Sequence, residues 1–115
     1  MAFDPTEFIS LANGLFGAGE SAERTAVSRL YYGLFLRARR HFALEDETDP
    51  RIHRLVTSRL TGQWQTVAAG EALGQLRRLR NVSDYETRRN LLPEEVSQAR
   101  RLAALVQQTM SGLWQ

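Results

Sequence analysis

The side chains best suited to chemistry follow one another closely, in the order Arg80-Asn81-x-x-Asp84-Tyr85. If this segment is helical, Arg80 falls inside the apolar arc that contains Leu76, one turn earlier, whereas Tyr85 points away from that arc. A guanidinium among apolar side chains is costly unless it is paired. Two interpretations are open. Arg80 forms a structural ion pair with Asp84, or its planar fork and the Asn81 amide capture a phosphate group.

Histidine and cysteine chemistry is scarce in this chain. It contains no cysteine, which excludes disulfides, thiolate metal sites and a cysteine nucleophile. Its two histidines, His41 and His53, form neither a Glu-x-x-His nor a His-x3-His pair, and no phosphate-binding glycine loop or nucleophile elbow is present. We therefore expect no metal and no cofactor. His53, near the start of a predicted helix and beside arginines, is either a packing residue or part of a site.

The distribution of charge along the chain is compatible with an anionic partner. All fifteen basic residues are arginine, and the formal net charge is only +2. Residues 1–50 carry five arginines and eight acidic residues, whereas residues 51–115 carry ten arginines and five acidic residues. This asymmetry fits a basic patch, although a solvated charged surface explains it equally well.

The elements that must position these residues are all predicted to be helices. No segment shows the alternation of a half-buried strand, whereas helix-start signals recur. Asp4 and Pro5 fit the N-cap and first helical position, with Phe3 and Phe8 spaced for a hydrophobic staple. Ser21 fits the N-cap of the next helix. The first two predicted helices span 5–15 and Ser21 to about 42. The third is opened by Asp49-Pro50 and ends near 60. The fourth covers 66–86, with Gly70 and Gly74 as weak points, and the fifth begins at Pro93.

The lengths of these segments and of their linkers predict the architecture. With 115 residues, the chain suffices for one domain with one hydrophobic core, and short linkers favour antiparallel neighbours. We therefore expect an all-α, up-and-down bundle of four to five helices that forms a single domain over 1–115. No apolar run is long enough for a membrane span and no signal-peptide pattern opens the chain, so we expect no membrane association and a cytoplasmic location.

Two segments together resemble the HEPN family of helical domains. Arg24-Thr-Ala-Val-Ser-Arg-Leu-Tyr-Tyr-Gly-Leu-Phe35 resembles that family's second-helix pattern of small residues, a Ser-Arg pair and a Tyr-Tyr pair. Leu76-Arg-Arg-Leu-Arg-Asn-Val-Ser-Asp-Tyr85 resembles its Arg-x-x-x-Asp-Tyr segment, and Asp49-Pro-Arg-Ile-His53 resembles the start of its third helix. The resemblance covers residues 5–110 and points to the branch of small HEPN proteins that carry the Asp-Tyr pair.

This resemblance implies a helical bundle that is usually a homodimer, here through the surfaces of the second and fourth helices. Many members of the family are metal-independent ribonucleases of toxin–antitoxin or defence systems, with an Arg-x4-6-His motif from each protomer. Many are encoded beside a minimal nucleotidyltransferase antitoxin, which in some systems adds AMP to a tyrosine near that motif. The ligand-binding residues that the resemblance suggests here are Ser28, Tyr32, Arg80, Asn81 and Asp84.

The motif departs from the nuclease pattern at one position. Tyr85 stands where the nucleases have histidine, and no histidine follows His53. With its ordinary pKa near 10, a tyrosine is a poor general acid or base at neutral pH. Catalytic roles are therefore restricted to Arg80, with Tyr85 or His53 as substitutes for the missing histidine.

Three functions remain open at this point, and the residues do not decide whether the protein is an enzyme. The first is a binding module for RNA, a nucleotide or a nucleotidyltransferase partner, with Arg80 as the docking residue. The second is a metal-independent endoribonuclease in which Arg80 stabilises the scissile phosphate while the 2′-hydroxyl attacks. The third is a non-catalytic dimerisation scaffold with a purely structural Arg80–Asp84 pair.

Overall fold

The computed structural model describes residues 3–114, which form five helices and, within that range, no strand. The all-α prediction is therefore confirmed. The bounds of the helices lie within a few residues of the predicted ones: α1 Thr6–Leu15, α2 Glu20–His41, α3 Ile52–Thr61, α4 Val67–Tyr85 and α5 Pro93–Met110.

The start of α1 follows the local signals in the sequence. Asp4 Oδ1 accepts a hydrogen bond from the Thr6 backbone N–H at 3.0 Å, which satisfies a donor that the helix leaves free. The Phe3 and Phe8 rings lie 4.8 Å apart, as a hydrophobic staple requires. The predicted staple is confirmed, whereas the cap position is off by one residue, because α1 begins at Thr6 and Pro5, not Asp4, occupies the N-cap.

The start of α2 differs from the prediction. The helix begins at Glu20, so Ser21 lies in its first turn and is not its N-cap. Gly19 takes the cap position with φ +110°, a conformation that L side chains rarely adopt, and its carbonyl oxygen accepts from the Glu23 N–H. The prediction missed this start because it looked for a capping side chain and not for a glycine backbone.

Helix α2 is the centre of the fold and packs against the other four helices. Its approach to α1 is close at Gly33, where a Cβ atom would lie 2.7 Å from Ile9 Cγ1. Its buried apolar side chains form the middle of the core: Ala26, Val27, Leu30, Tyr31, Leu34, Phe35 and Ala38.

Helices α3 and α4 also approach each other closely at a glycine, as α1 and α2 do at Gly33. A Cβ atom at Gly70 would lie 2.6 Å from Thr61 Cγ2 and 2.9 Å from Leu60 Cβ. Because Gly70 has no side chain, the end of α3 and the first turn of α4 are in direct contact. Helix α3 therefore lies beside the part of α4 that carries Arg77, Arg78 and Arg80. Helix α5 then covers α4 and α2 with a stripe of buried residues: Ala99, Leu102, Ala103, Val106 and Met110.

Among the described residues, no helix combines the length and apolarity that crossing a membrane would require.

Candidate functional site

A line of polar side chains runs along the contact between α2 and α4. On α2, Arg24, Ser28 and Tyr32 are spaced by four residues and therefore share one face. Each reaches a different part of the C-terminal half of α4: Arg24 its last carbonyl oxygens, Ser28 the Asp84 carboxylate, and Tyr32 the Arg80 guanidinium. The two segments that carry the family resemblance therefore meet in space.

Arg80 makes polar contacts with three side chains around it, Tyr32, Asn81 and Asp84. Its Nη2 donates to the Tyr32 hydroxyl, and its Nη1 donates to Asn81 Oδ1 at 2.8 Å. Its Nε lies 3.0 Å from Asp84 Oδ2, although the N–H is not aimed well enough at that oxygen for a hydrogen bond. The contact with Asp84 is therefore an ion pair, as one of the two sequence interpretations predicted. With 12% of its side chain exposed, Arg80 is held in place before any ligand arrives.

Two tyrosine rings flank the Arg80 guanidinium. Its central carbon lies 4.8 Å from the ring centre of Tyr32 and 5.7 Å from that of Tyr85. Both distances lie within the range of cation–π attraction. Tyr85 is 71% exposed, so the aromatic face at this position is open to solvent.

Asn81 and Asp84 complete this group on its exposed side. Because the Asn81 carbonyl oxygen already accepts from Arg80, the two N–H donors of the amide are left for other partners. The Asp84 carboxylate accepts from the Ser28 hydroxyl at 3.4 Å in addition to its ion pair. Tyr32, Arg80, Asn81, Asp84 and Tyr85 are called the Arg80 cluster from here on.

His53 lies beside the Arg80 cluster but is held by a different set of residues. Its ring stacks on Phe35 with 4.1 Å between ring centres, and its Nδ1 lies 2.5 Å from the Tyr31 hydroxyl. The Tyr32 ring meets it edge to face at 6.2 Å. The structure therefore places His53 near Tyr32, and through Tyr32 near Arg80.

The surroundings of His53 keep its ring neutral. Burial, followed by the nearby Arg77 and Arg80 guanidinium groups, lowers the pKa of His53 to about 4. Burial raises the pKa of the Tyr31 hydroxyl, which therefore keeps its proton and can donate it to His53 Nδ1. A neutral imidazole in this pair has no proton to release as an imidazolium acid near pH 7.

Sequence reasoning missed Arg24, which fastens the end of α4. Its guanidinium donates to the carbonyl oxygens of Ser83 at 3.0 Å and Glu86 at 2.7 Å, and also to that of Arg89. Its Nε pairs with Glu20 at 2.7 Å. The four-residue spacing from Arg24 through Ser28 to Tyr32 was the signal that could have revealed this role.

Within residues 3–114, no group of three or more histidine, aspartate or glutamate side chains is arranged to hold a metal ion.

Comparisons of the chain with protein-family models, with curated proteins and with solved structures find no match.

Proposed function

We propose that this protein binds RNA or a nucleotide through the Arg80 cluster. The observation that carries the proposal is the exposed Tyr85 ring, which lies within cation–π distance of a guanidinium that is already fixed. An exposed aromatic face stacks on a nucleobase whatever the base is, and the guanidinium held against the ring fixes its position through a cation–π contact. The cluster thus supplies the stacking contact of single-stranded RNA, and the phosphate contacts fall to neighbouring arginines.

The electrostatic surroundings support the same function. Arg77 and Arg78 precede the cluster on α4 by less than one turn, and neither is among the ion-paired residues of the described chain. The half of the chain after residue 50 carries twice as many arginines as acidic residues. Unpaired cations of this kind raise the local concentration of an anionic ligand.

Binding fits this arrangement better than cleavage does. The Arg80 guanidinium already contacts Tyr32, Asn81 and Asp84, so it serves more readily to support the surface than to follow a phosphate through a reaction. His53 is neutral and has its Nδ1 occupied. An endoribonuclease remains the alternative, and it is decided by the test below.

The family resemblance extends the proposal to a cellular role. We propose a HEPN-like protein of a toxin–antitoxin or defence system, acting as a homodimer and paired with a minimal nucleotidyltransferase. The exposure of Tyr85 supports this, because a partner enzyme that modifies a tyrosine needs an accessible hydroxyl. Light scattering on the purified protein tests the dimer, and co-purification with the product of a neighbouring gene tests the partner.

Fluorescence anisotropy with a labelled single-stranded RNA tests the binding function. Loss of one base–aromatic stack costs ~1–3 kcal/mol, so Tyr85→Ala should weaken binding about tenfold, and Tyr85→Phe should retain most of the affinity. Trp64→Ala is the matched control, because Trp64 is an exposed aromatic outside the cluster, 83% accessible. Equal losses in Tyr85→Ala and Trp64→Ala, or no binding by the wild type at low salt, would contradict the proposal.

Incubation of total tRNA with the protein in EDTA separates binding from cleavage. We expect intact RNA with both the wild type and Arg80→Ala. Fragments produced by the wild type but not by Arg80→Ala would instead identify a metal-independent endoribonuclease and direct attention to Tyr85 and His53.

A further inference from the structure

A polar groove lies between α3 and α4. It shares Asn81 with the Arg80 cluster but includes neither Tyr32 nor Tyr85. It is a groove of about 400 Å³, within the size range of small-ligand sites. Apart from one glycine, every residue of its lining carries a polar group: Arg54, Thr57, Ser58 and Thr61 from α3, and Gly74, Arg77, Arg78 and Asn81 from α4.

The groove is positively charged, and no acidic residue in its lining neutralises that charge. Three of the eight lining residues are arginines and none is acidic. Among the described residues, the arginines that do form ion pairs are others, at positions 24, 51, 80, 88 and 89. Arg77 Nε is buried and has no hydrogen-bond partner within residues 3–114. Arg80 Nε, His41 Nδ1 and Trp114 Nε1 share this condition, so the charge of the lining, and not this one N–H group, carries the argument.

Neutral donors stand beside these cations. Asn81 lines the groove, and because its carbonyl oxygen already accepts from Arg80, its two N–H groups are left as donors. Ser58 lines the same space on the opposite helix and carries a hydroxyl donor. Arginine forks with amide and hydroxyl donors, and without a carboxylate, match the oxygens of phosphate groups.

We propose that this groove binds two or more neighbouring phosphate groups of one ligand. Three arginines exceed what a single phosphate monoanion needs. The lining contains no aromatic or large apolar residue that could hold a nucleobase, so recognition is directed at phosphates alone. Neighbouring phosphate groups occur joined by anhydride bonds in a free nucleoside polyphosphate, and joined through sugars in the backbone of a nucleic acid.

Isothermal titration calorimetry with pyrophosphate at about 50 mM salt tests the groove. A charge-assisted hydrogen bond contributes about 1.5–3 kcal/mol, so Arg54→Gln, Arg77→Gln and Arg78→Gln should each weaken binding about tenfold. Arg59→Gln is the matched control, because Arg59 is an exposed residue of α3 outside the groove and its replacement changes the net charge equally. Arg54 and Arg78 are exposed, so their variants remain informative if Arg77→Gln unfolds the protein.

The proposal is overturned if millimolar pyrophosphate does not bind, or if Arg59→Gln weakens binding as much as the groove variants do. Repeating the titration with a nucleoside triphosphate and with a hydroxyl-ended oligouridylate identifies the source of the phosphates. Sensitivity of the oligouridylate to Arg54→Gln, on α3 and away from the Arg80 cluster, assigns the groove to a nucleic-acid backbone, whereas sensitivity of the triphosphate alone assigns it to a free nucleotide. Tyr85→Ala should leave pyrophosphate binding unchanged, so either site can fail without the other.

Discussion

Arg80 and Asp84 face each other across one turn of α4, with Nε and Oδ2 3.0 Å apart and the arginine only 12% exposed. The order of the two residues is the less favourable one for the helix dipole, so helix electrostatics alone does not account for the pair. The Tyr32 hydroxyl on α2 contacts the same guanidinium. The ion pair is therefore part of the contact between α2 and α4, and not only an interaction within α4.

Removing the acid from this pair should destabilise the fold. Asp84→Ala leaves the sheltered Arg80 guanidinium without its counter-charge and the Ser28 hydroxyl without an acceptor, and we expect a loss of about 1–3 kcal/mol in the free energy of unfolding. Arg88→Ala is the control, because it breaks a pair whose arginine is 89% exposed and should cost less than about 1 kcal/mol. Urea unfolding measures both values. Equal losses of unfolding free energy in Asp84→Ala and Arg88→Ala would mean that burial of Arg80 does not strengthen its ion pair.

A second prediction concerns Arg24 and the connection from α4 to α5. Arg24→Ala removes donors from carbonyl oxygens at the end of α4 and in the following loop, and we expect it to lower the free energy of unfolding by about 2 kcal/mol. Arg24→Lys should recover less than half of that loss, because one ammonium group does not reproduce the planar fork. Backbone amides after residue 85 should also exchange faster in hydrogen-exchange experiments. Full recovery by lysine would show that charge alone, and not the fork geometry, holds the connection.

Short-range signals predicted much of this structure. The Phe3–Phe8 staple and the Arg80–Asp84 pair join residues at most five positions apart, and each was visible as a spacing in the sequence. The start of α2 at Glu20 was missed, because Gly19 supplies a backbone conformation in place of a capping side chain. Local rules therefore placed the helices but erred where a glycine backbone determined the boundary.

The long-range part of the site could not be predicted in the same way. Arg24 reaches carbonyl oxygens about sixty positions later in the chain, and Tyr31 meets His53 across 22 positions. Such contacts depend on how two helices cross, which no spacing within one helix determines. The groove between α3 and α4 was missed for the same reason, since Arg54 and Arg77 become neighbours only after the two helices have packed.

The two glycines that were predicted as weak points of α4 should behave in opposite ways. At Gly70 a methyl group would lie 2.6 Å from Thr61 Cγ2 and 3.0 Å from the Thr61 backbone nitrogen, so Gly70→Ala forces α3 and α4 apart. We expect a loss of about 1–3 kcal/mol. At Gly74 the nearest atom, Thr57 Cγ2, is 4.0 Å away, so Gly74→Ala should stabilise the protein by about 0.5–1 kcal/mol through helix propensity. Thermal unfolding of the two variants measures the contrast, and destabilisation by Gly74→Ala would contradict it.

The neutral state of His53 predicts how stability changes with pH. The unfolded chain binds a proton at His53 near pH 6.5, whereas the folded protein resists protonation until about pH 4. Because the unfolded state then holds more protons, stability should be full above pH 6.5 and should fall as the pH decreases toward 4. The carboxylates of lowered pKa, such as Glu95 at about 2, lose their contribution only below their ordinary value of 4.5, so they do not account for a decline that begins above pH 5.

His53→Phe keeps a ring against Phe35 and should flatten the slope of the urea-unfolding free energy between pH 7 and pH 5. Tyr31→Phe keeps His53 and should keep the slope while lowering stability throughout. A slope that survives in His53→Phe would assign the pH dependence to a different group.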